Sequence, residues 1–331
     1  MKKKIIDKLK SLKLKNSKSF ILKNKKKLEI ISLVVLIAIA IVIFSFGPLG
    51  KNVSNFVVEK ICSKTEIQDG NAGANDIEEE EFVSDNYTKK DPDLTIGVMA
   101  DSHVEGSKYW IINEFAKKMQ IAKPDFVIEV GDFIQNRNRK GKGMVQQPIE
   151  EGIADWKKAD ANLLGYMPRY HVIGNHEMFS LHKKDYENLI GSKSYYSFIV
   201  KNYQIIVLDA MYWSSTNEDV ERGREKPGAY IGFIPQEEKK WLEEKLGESD
   251  RNIIFVHHPL YNILNSLDIE KLLTRYNDRI VLILSGHKHD SKSFTFAGID
   301  YIDIPSLELQ KQYLLVNVKG KKSEVEFLNL Q

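Results

Sequence analysis

The chain has 331 residues, 42% hydrophobic and 28% charged, a globular composition with room for one large domain or two small ones and a sizeable core. Its net charge of +2 hides an asymmetry: residues 1–27 hold twelve Lys and one acid, Asp7, so the other 304 residues sum to about −9, which argues against a basic nucleic-acid-binding face on the folded part. The single cysteine, Cys62, excludes an intrachain disulfide and a cysteine-rich zinc site.

Residues 1–27 read as a basic cytoplasmic head, and residues 28–49 as one transmembrane signal anchor. The run from Ile30 to Phe46 is apolar apart from Ser32 and Ser45 and shows no polar stripe. At 1.5 Å per residue it reaches about 25–29 Å, close to the roughly 30 Å of a bilayer's hydrocarbon core. Lysines on its N-terminal side predict a cytoplasmic N-terminus and place everything after Gly47 outside the cell membrane. A cleaved signal peptide is the competing reading, but the basic region is long and Phe44–Pro48 lacks an A-x-A-like site. Residues 50–92 lose hydrophobic periodicity and carry Glu78 to Glu81 in succession, as expected of a flexible acidic linker. Cys62 falls there and reads as an unpaired thiol, with cross-linking of two chains as the alternative.

Residues 93–331 read as the folded domain. Short apolar runs alternate with amphipathic segments, predicting an α/β or mixed α+β fold. Strands are expected at Leu94–Met99, Phe126–Val130, His171–Ile173, Ile205–Leu208, Ile253–Val256 and Ile280–Leu284. Helices are expected near Tyr109–Ile121, Gln236–Leu246 and Leu267–Tyr276. Further strands, without long helices between them, come at Phe294–Phe296, Tyr301–Ile304, Tyr313–Val318 and Val325–Leu328.

The residues just past these strands carry the chemistry. The first strand runs into Asp101-Ser102-His103, the second into Gly131-Asp132, the third into Gly174-Asn175-His176-Glu177. Later ones run into His257-His258-Pro259 and Gly286-His287-Lys288-His289. Strand C-terminal ends are where ligands bind in open α/β sheets, and glycine lets the chain turn close to a bound ion. Each piece alone has a plain reading, as a turn or a hydrogen-bonded core histidine. Five in this order point to a metal site. Imidazole with carboxylate suits manganese, iron or zinc better than calcium, and the lack of thiolates fits hydrolysis rather than a structural zinc.

The set D-x-H, G-D, G-N-H-E, H-x-P and G-H-x-H resembles the signature of the calcineurin-like metallophosphoesterases, over roughly residues 94–304. The resemblance implies a four-layer α/β/β/α sandwich of two mixed sheets flanked by helices, with two metal ions at one edge. It implies that Asp101, His103, Asp132 and His289 hold the first metal, and that Asp132 bridges to a second held by Asn175, His257 and His287. His176 would act beside the scissile phosphate. Glu177 and His258 would stand behind the ligands, His257 taking the ligand position of H-x-P. The implied reaction is in-line attack on phosphorus by a metal-held hydroxide.

Purple acid phosphatases, one branch of that family, place a tyrosine where this chain has Gln135 and lack the nitrogen that His103 supplies, so this chain resembles the phosphodiesterase and general phosphatase branches. The segment Asn136–Lys142, with Arg137 and Arg139, reads as a basic lip for phosphate or as a solvated loop. Tyr212 and Trp213 are available to stack on a base or sugar, or simply to pack. The expected partners are a phosphoester substrate and, through the anchor, the membrane. The rivals are a catalytically silent metal-binding scaffold of the same fold and a tethered nuclease, which would want a continuous basic groove.

Overall fold

The computed structural model describes residues 92–140, 143–163, 167–212 and 231–330. The chain divides into two units, residues 1–75 and 76–331, and every described residue lies in the second. The basic head, the anchor, Cys62 and the linker apart from Pro92 therefore lie outside the described residues, as does Trp213. Among the described residues no helix is long and apolar enough to cross a membrane.

In chain order the elements are β1 (Leu94–Met99), α1 (Trp110–Ala122), β2 (Phe126–Glu129), β3 (Arg137–Lys140), β4 (Gly143–Gln146), α2 (Ile149–Asn162), β5 (Arg169–His171), α3 (Glu177–Ser180), α4 (Lys183–Ile190), β6 (Tyr196–Val200) and β7 (Tyr203–Leu208). Then come α5 (Gln236–Glu248), β8 (Asn252–Val256), α6 (Ser266–Arg275), β9 (Ile280–Ser285), β10 (Lys292–Phe296), β11 (Ile299–Asp303), β12 (Gln312–Lys319) and β13 (Lys322–Asn329).

Two mixed sheets form, in the orders β13-β12-β1-β2-β5 and β10-β11-β9-β8-β7-β6, while β3 and β4 make a separate hairpin. In the first sheet β1, β2 and β5 run parallel and β12 pairs antiparallel to β1. In the second, β7, β8, β9 and β11 run parallel, with β6 and β10 antiparallel at the edges. Unbroken apolar runs such as Ile253–Val256 become strands because both of their faces are covered.

Alternation along each strand sorts the core into layers. Ile96, Val98, Phe126 and Ile128 of the first sheet share one buried cluster with Ile205, Val207, Phe255, Leu282 and Leu284 of the second, so these faces pack together. The opposite residues of the second sheet, Ile206, Leu208, Ile254 and Val256, pack with Leu242 and Leu246 of α5 and with Leu272 and Leu273 of α6. On the outer side of the first sheet, Met99 and Val127 meet Phe115 and Met119 of α1 and Trp156 of α2. Helices thus cover the outer face of both sheets, as the four-layer expectation required.

The third expected strand ends two residues early, at His171. Val172 still donates to Glu129 O, and the chain then turns at Gly174. Strand β6, helices α2, α3 and α4, and the β3–β4 hairpin were not anticipated. In β6 (Tyr-Ser-Phe-Ile-Val) four of five residues are only half-buried, so the pattern of a core strand is missing.

Candidate metal centre

The polar strand ends converge, although not along one sheet. Asp101 and His103 come after β1, Asp132 after β2, and Asn175 and His176 after β5, all from the first sheet. His257 comes after β8, and His287 and His289 after β9, from the second. The ligands are thus delivered from the strand ends of two facing sheets.

Asp132 lies at the centre and is almost fully buried. Its Oδ2 is 3.3 Å from His257 Nε2, 3.4 Å from His103 Nε2 and 3.9 Å from His176 Nε2. Its Oδ1 accepts the His176 N–H at 2.7 Å. Burial by itself would raise this carboxyl, but the charges of His257 and His176 and the hydrogen bonds from His103 and His257 hold it well below the carboxylate range. The imidazoles move oppositely. Burial would lower His103 and His257, yet the neighbouring carboxylates, Asp132 foremost, bring them up to about 10 and about 9.

On one side His289 Nε2 lies 3.1 Å from Asp101 Oδ1, and Asp101 Oδ2 accepts the His287 N–H at 3.0 Å. On the other, Asn175 Oδ1 lies 2.9 Å from His287 Nδ1 and 3.2 Å from His257 Nε2. Three overlapping sets offer ligand atoms within 4.8 Å of one another: Asp101, His103 and His289; His103, Asp132 and His176; Asp132, His257 and His287. Asp132 and His103 each belong to two sets, the arrangement a bridged pair of cations requires. Carboxylate, amide and imidazole donors without thiolate fit manganese, iron or zinc. His257 is in these sets and its neighbour His258 is not. The His258 ring lies tilted against that of His287, with centroids 4.2 Å apart.

Local backbone geometry shows what convergence costs. Asp101, His103, Asp132, His287 and His289 all have positive φ, five of the ten such non-glycine residues described. This conformation costs about 1–3 kcal/mol per residue and persists where the surroundings impose it. Gly131 has φ +87°, and a Cβ there would lie 2.4 Å from His257 Nδ1. Gly131→Ala is therefore expected to destabilise the fold by on the order of 1–3 kcal/mol and to displace His257. Thermal melts and metal titration would read both effects.

Glu177 is fully buried and accepts from the backbone N–H groups of Gly174 (2.8 Å), Phe133 (2.9 Å) and Asp132 (3.0 Å), with a longer contact to Ile134 (3.4 Å). It ties the Gly-Asp loop to the Gly-Asn-His-Glu loop. Burial first, and the Asp132 charge second, push its carboxyl up to about 7. His176 Nδ1 lies 3.0 Å from Gln135 O, so the residue standing in the tyrosine position of the purple enzymes offers its backbone carbonyl to the ring.

The remaining expected residues are placed less directly. Arg137 and Arg139 fall on β3, whose hairpin springs from Asn136. The Asn136 amide donates to His176 O (3.0 Å), which roots the hairpin at the site. Tyr212 is half-buried with Lys183 Nζ 3.3 Å from its ring centroid, so that ring face already carries a cation. Two participants escaped sequence reasoning. Glu308 Oε2 lies 3.3 Å from His103 Nδ1, and no motif surrounds it. Glu129, 3.5 Å from His171 Nδ1, was detectable as a lone acid inside an apolar strand.

Two facing mixed sheets with a histidine–carboxylate centre at their strand ends make this chain a metallophosphoesterase by class. The calcineurin-like phosphoesterase family model matches residues 94–291, and the chain belongs to that family. A dimetal phosphatase from Danio rerio shares the fold with a TM-score of 0.56 at 16% identity, over 73% of this chain and 100% of that one. GAP50, the anchor in the inner membrane complex of Plasmodium, is similar with a TM-score of 0.51 at 14% identity, over 72% of this chain and 85% of that one. At such identities the likeness shows the fold alone. No curated protein matches the chain by sequence.

Proposed function

We propose that this chain is a binuclear-metal phosphoesterase that hydrolyses phosphate mono- or diesters. The observation that carries this reading is the convergence of Asp101, His103, His257, His287 and His289 around the buried Asp132, which is shared between neighbouring sets, with Asn175 Oδ1 meeting His257 and His287. Asp101, His103, Asp132 and His289 would hold one ion, and Asp132, Asn175, His257 and His287 the other. When bound, the ions supply Lewis-acid neutralisation of the phosphoryl charge and activation of water.

The chain's own groups do the rest. Asp132 stays ionised because the surrounding imidazoles overcome the effect of burial, so it offers two charged oxygens to the cations. His176 has Nδ1 directed at Gln135 O and Nε2 directed toward Asp132. In the protonated ring Nε2 carries the second proton, placed to reach a leaving oxygen or to stabilise charge developing there. The hairpin that carries the basic segment with Arg137 and Arg139 starts at Asn136, whose amide donates to His176 O, and this attachment supports a role in capturing anionic substrate. The ligand set is complete, which favours catalysis over a silent scaffold.

We further infer that residues 28–49 anchor the chain with the catalytic domain outside the cytoplasmic membrane. The lysine-rich head and the apolar run from Ile30 to Phe46 support this. Fractionation after alkaline carbonate should leave the chain in the membrane, and protease added outside should reach the domain.

The deciding assay uses the full-length chain, stripped of metal and given manganese, iron or zinc, with a chromogenic phosphodiester and its monoester. Metal should restore turnover, and the preferred ester narrows the substrate class. A chain that binds no metal would sink the reading.

A further inference from the structure

Three of the four residues assigned to the first metal, Asp101, His103 and His289, are touched by one short turn. Ser306–Lys311 comes after β11 and lies against the end of β1. Ser306 Oγ donates to Asp101 O (2.8 Å), Leu307 N to Ala100 O (2.9 Å) and Glu308 N to Asp101 O (3.2 Å). Gln310 Nε2 donates to His289 O at 2.5 Å. Glu308 completes the set, with Oε2 3.3 Å from His103 Nδ1 and Oε1 accepting from Lys108 Nζ at 2.5 Å. The second metal's residues are held by other means: His257 Nδ1 lies 2.8 Å from Val130 O, and His257 and His287 both meet Asn175 Oδ1.

Building on the two-metal reading above, we propose that the Ser306–Lys311 turn is a bracket for the first metal's ligands and that Glu308 is its positioning residue. An imidazole has two nitrogens, and a carboxylate that accepts from one fixes which of them carries the proton and where the other points. Glu308 accepts from Nδ1 of His103, so Nε2, the nitrogen on the Asp132 side, keeps its lone pair for a cation. Lys108 holds the Glu308 carboxylate in place from the segment leading into α1. The same turn grips the backbone at Asp101 and His289, so the three ligands keep their spacing when no ion is present.

The test is a titration of the metal-free full-length chain with Mn2+, reading bound ions per chain, alongside a thermal melt of the metal-free protein. Wild type should take up two ions. Glu308→Ala should weaken one of them about 10–100-fold and leave the other unchanged, with a metal-free melting temperature close to wild type. Glu308→Gln keeps the shape and one acceptor oxygen, so its loss should be smaller, and it keeps the comparison open if the alanine variant folds poorly. NMR of the ring nitrogens in the Zn2+-loaded chain should show a proton held on His103 Nδ1 in wild type and lost to faster exchange in Glu308→Ala. Equal weakening of both ions with a lowered melting temperature would reduce Glu308 to a structural prop and overturn the proposal. Unchanged affinity for both ions would overturn it as well. Failure of wild type itself to bind Mn2+ would instead bring down the two-metal reading on which it rests.

Discussion

Asp132→Asn is expected to lower metal-dependent ester hydrolysis on the order of 10^3-fold or more and to cost the chain at least one of its two ions. The side chain is buried with Oδ2 within 3.9 Å of three imidazole nitrogens, so it cannot be replaced from solvent. Asparagine keeps the shape, and its oxygen can still accept the His176 N–H that Oδ1 accepts at 2.7 Å. What it cannot keep is the negative charge between two cations, or a second oxygen to share between them. An amide NH2 would point where a ligand oxygen is needed. Kinetics with a chromogenic ester and metal analysis of the purified variant check both halves. Retained activity with two ions bound would remove Asp132 from the bridging role.

Glu177→Ala should damage the fold as well as the site. Three buried backbone N–H groups, those of Asp132, Phe133 and Gly174, would lose a close acceptor, and that of Ile134 a longer one. Each orphaned buried donor costs about 1–3 kcal/mol, so a total on the order of 4 kcal/mol is expected after partial relaxation. Part of this loss is offset because the wild-type carboxylate is itself buried and pushed up to about 7. The two loops that Glu177 joins carry Asp132, Asn175 and His176, so metal affinity should fall together with the melting temperature. This joint fall separates Glu177 from Glu308, whose loss should leave the metal-free fold near wild-type stability. Denaturant unfolding of the metal-free protein gives the first quantity and Mn2+ titration the second.

Much of the centre was legible in the sequence because metal chemistry limits the choice of residue and the fold limits its place. Asp101, His103, Asp132, Asn175, His257, His287 and His289 each sit just past an apolar run, and each run but the one before Asn175 became a buried strand. A ligand must be polar, a core strand must not be, and the border between them is visible in one dimension. The same logic failed for Glu308. It lies in Ser306-Leu307-Glu308-Leu309-Gln310, a stretch with no motif, 205 residues from His103, and only the pairing of Ala100 with Ser306 brings the two together. It failed differently for β6, most of whose residues are only half-buried.

Burial and metal preference act on residues one at a time, so the order of the core strands, the ligand types and the family resemblance could be read from the chain alone. Three-dimensional packing was needed to bring the strand ends of two facing sheets to one point. It was needed, too, to set Glu308 behind His103 and to give Glu177 its backbone partners in the Gly-Asp loop. Those outcomes depend on which backbone lies beside which, and that is set by sheet pairing and by the positive φ angles at the strand ends. Neither leaves a mark in a single stretch of chain, since both are properties of residues that meet only after folding.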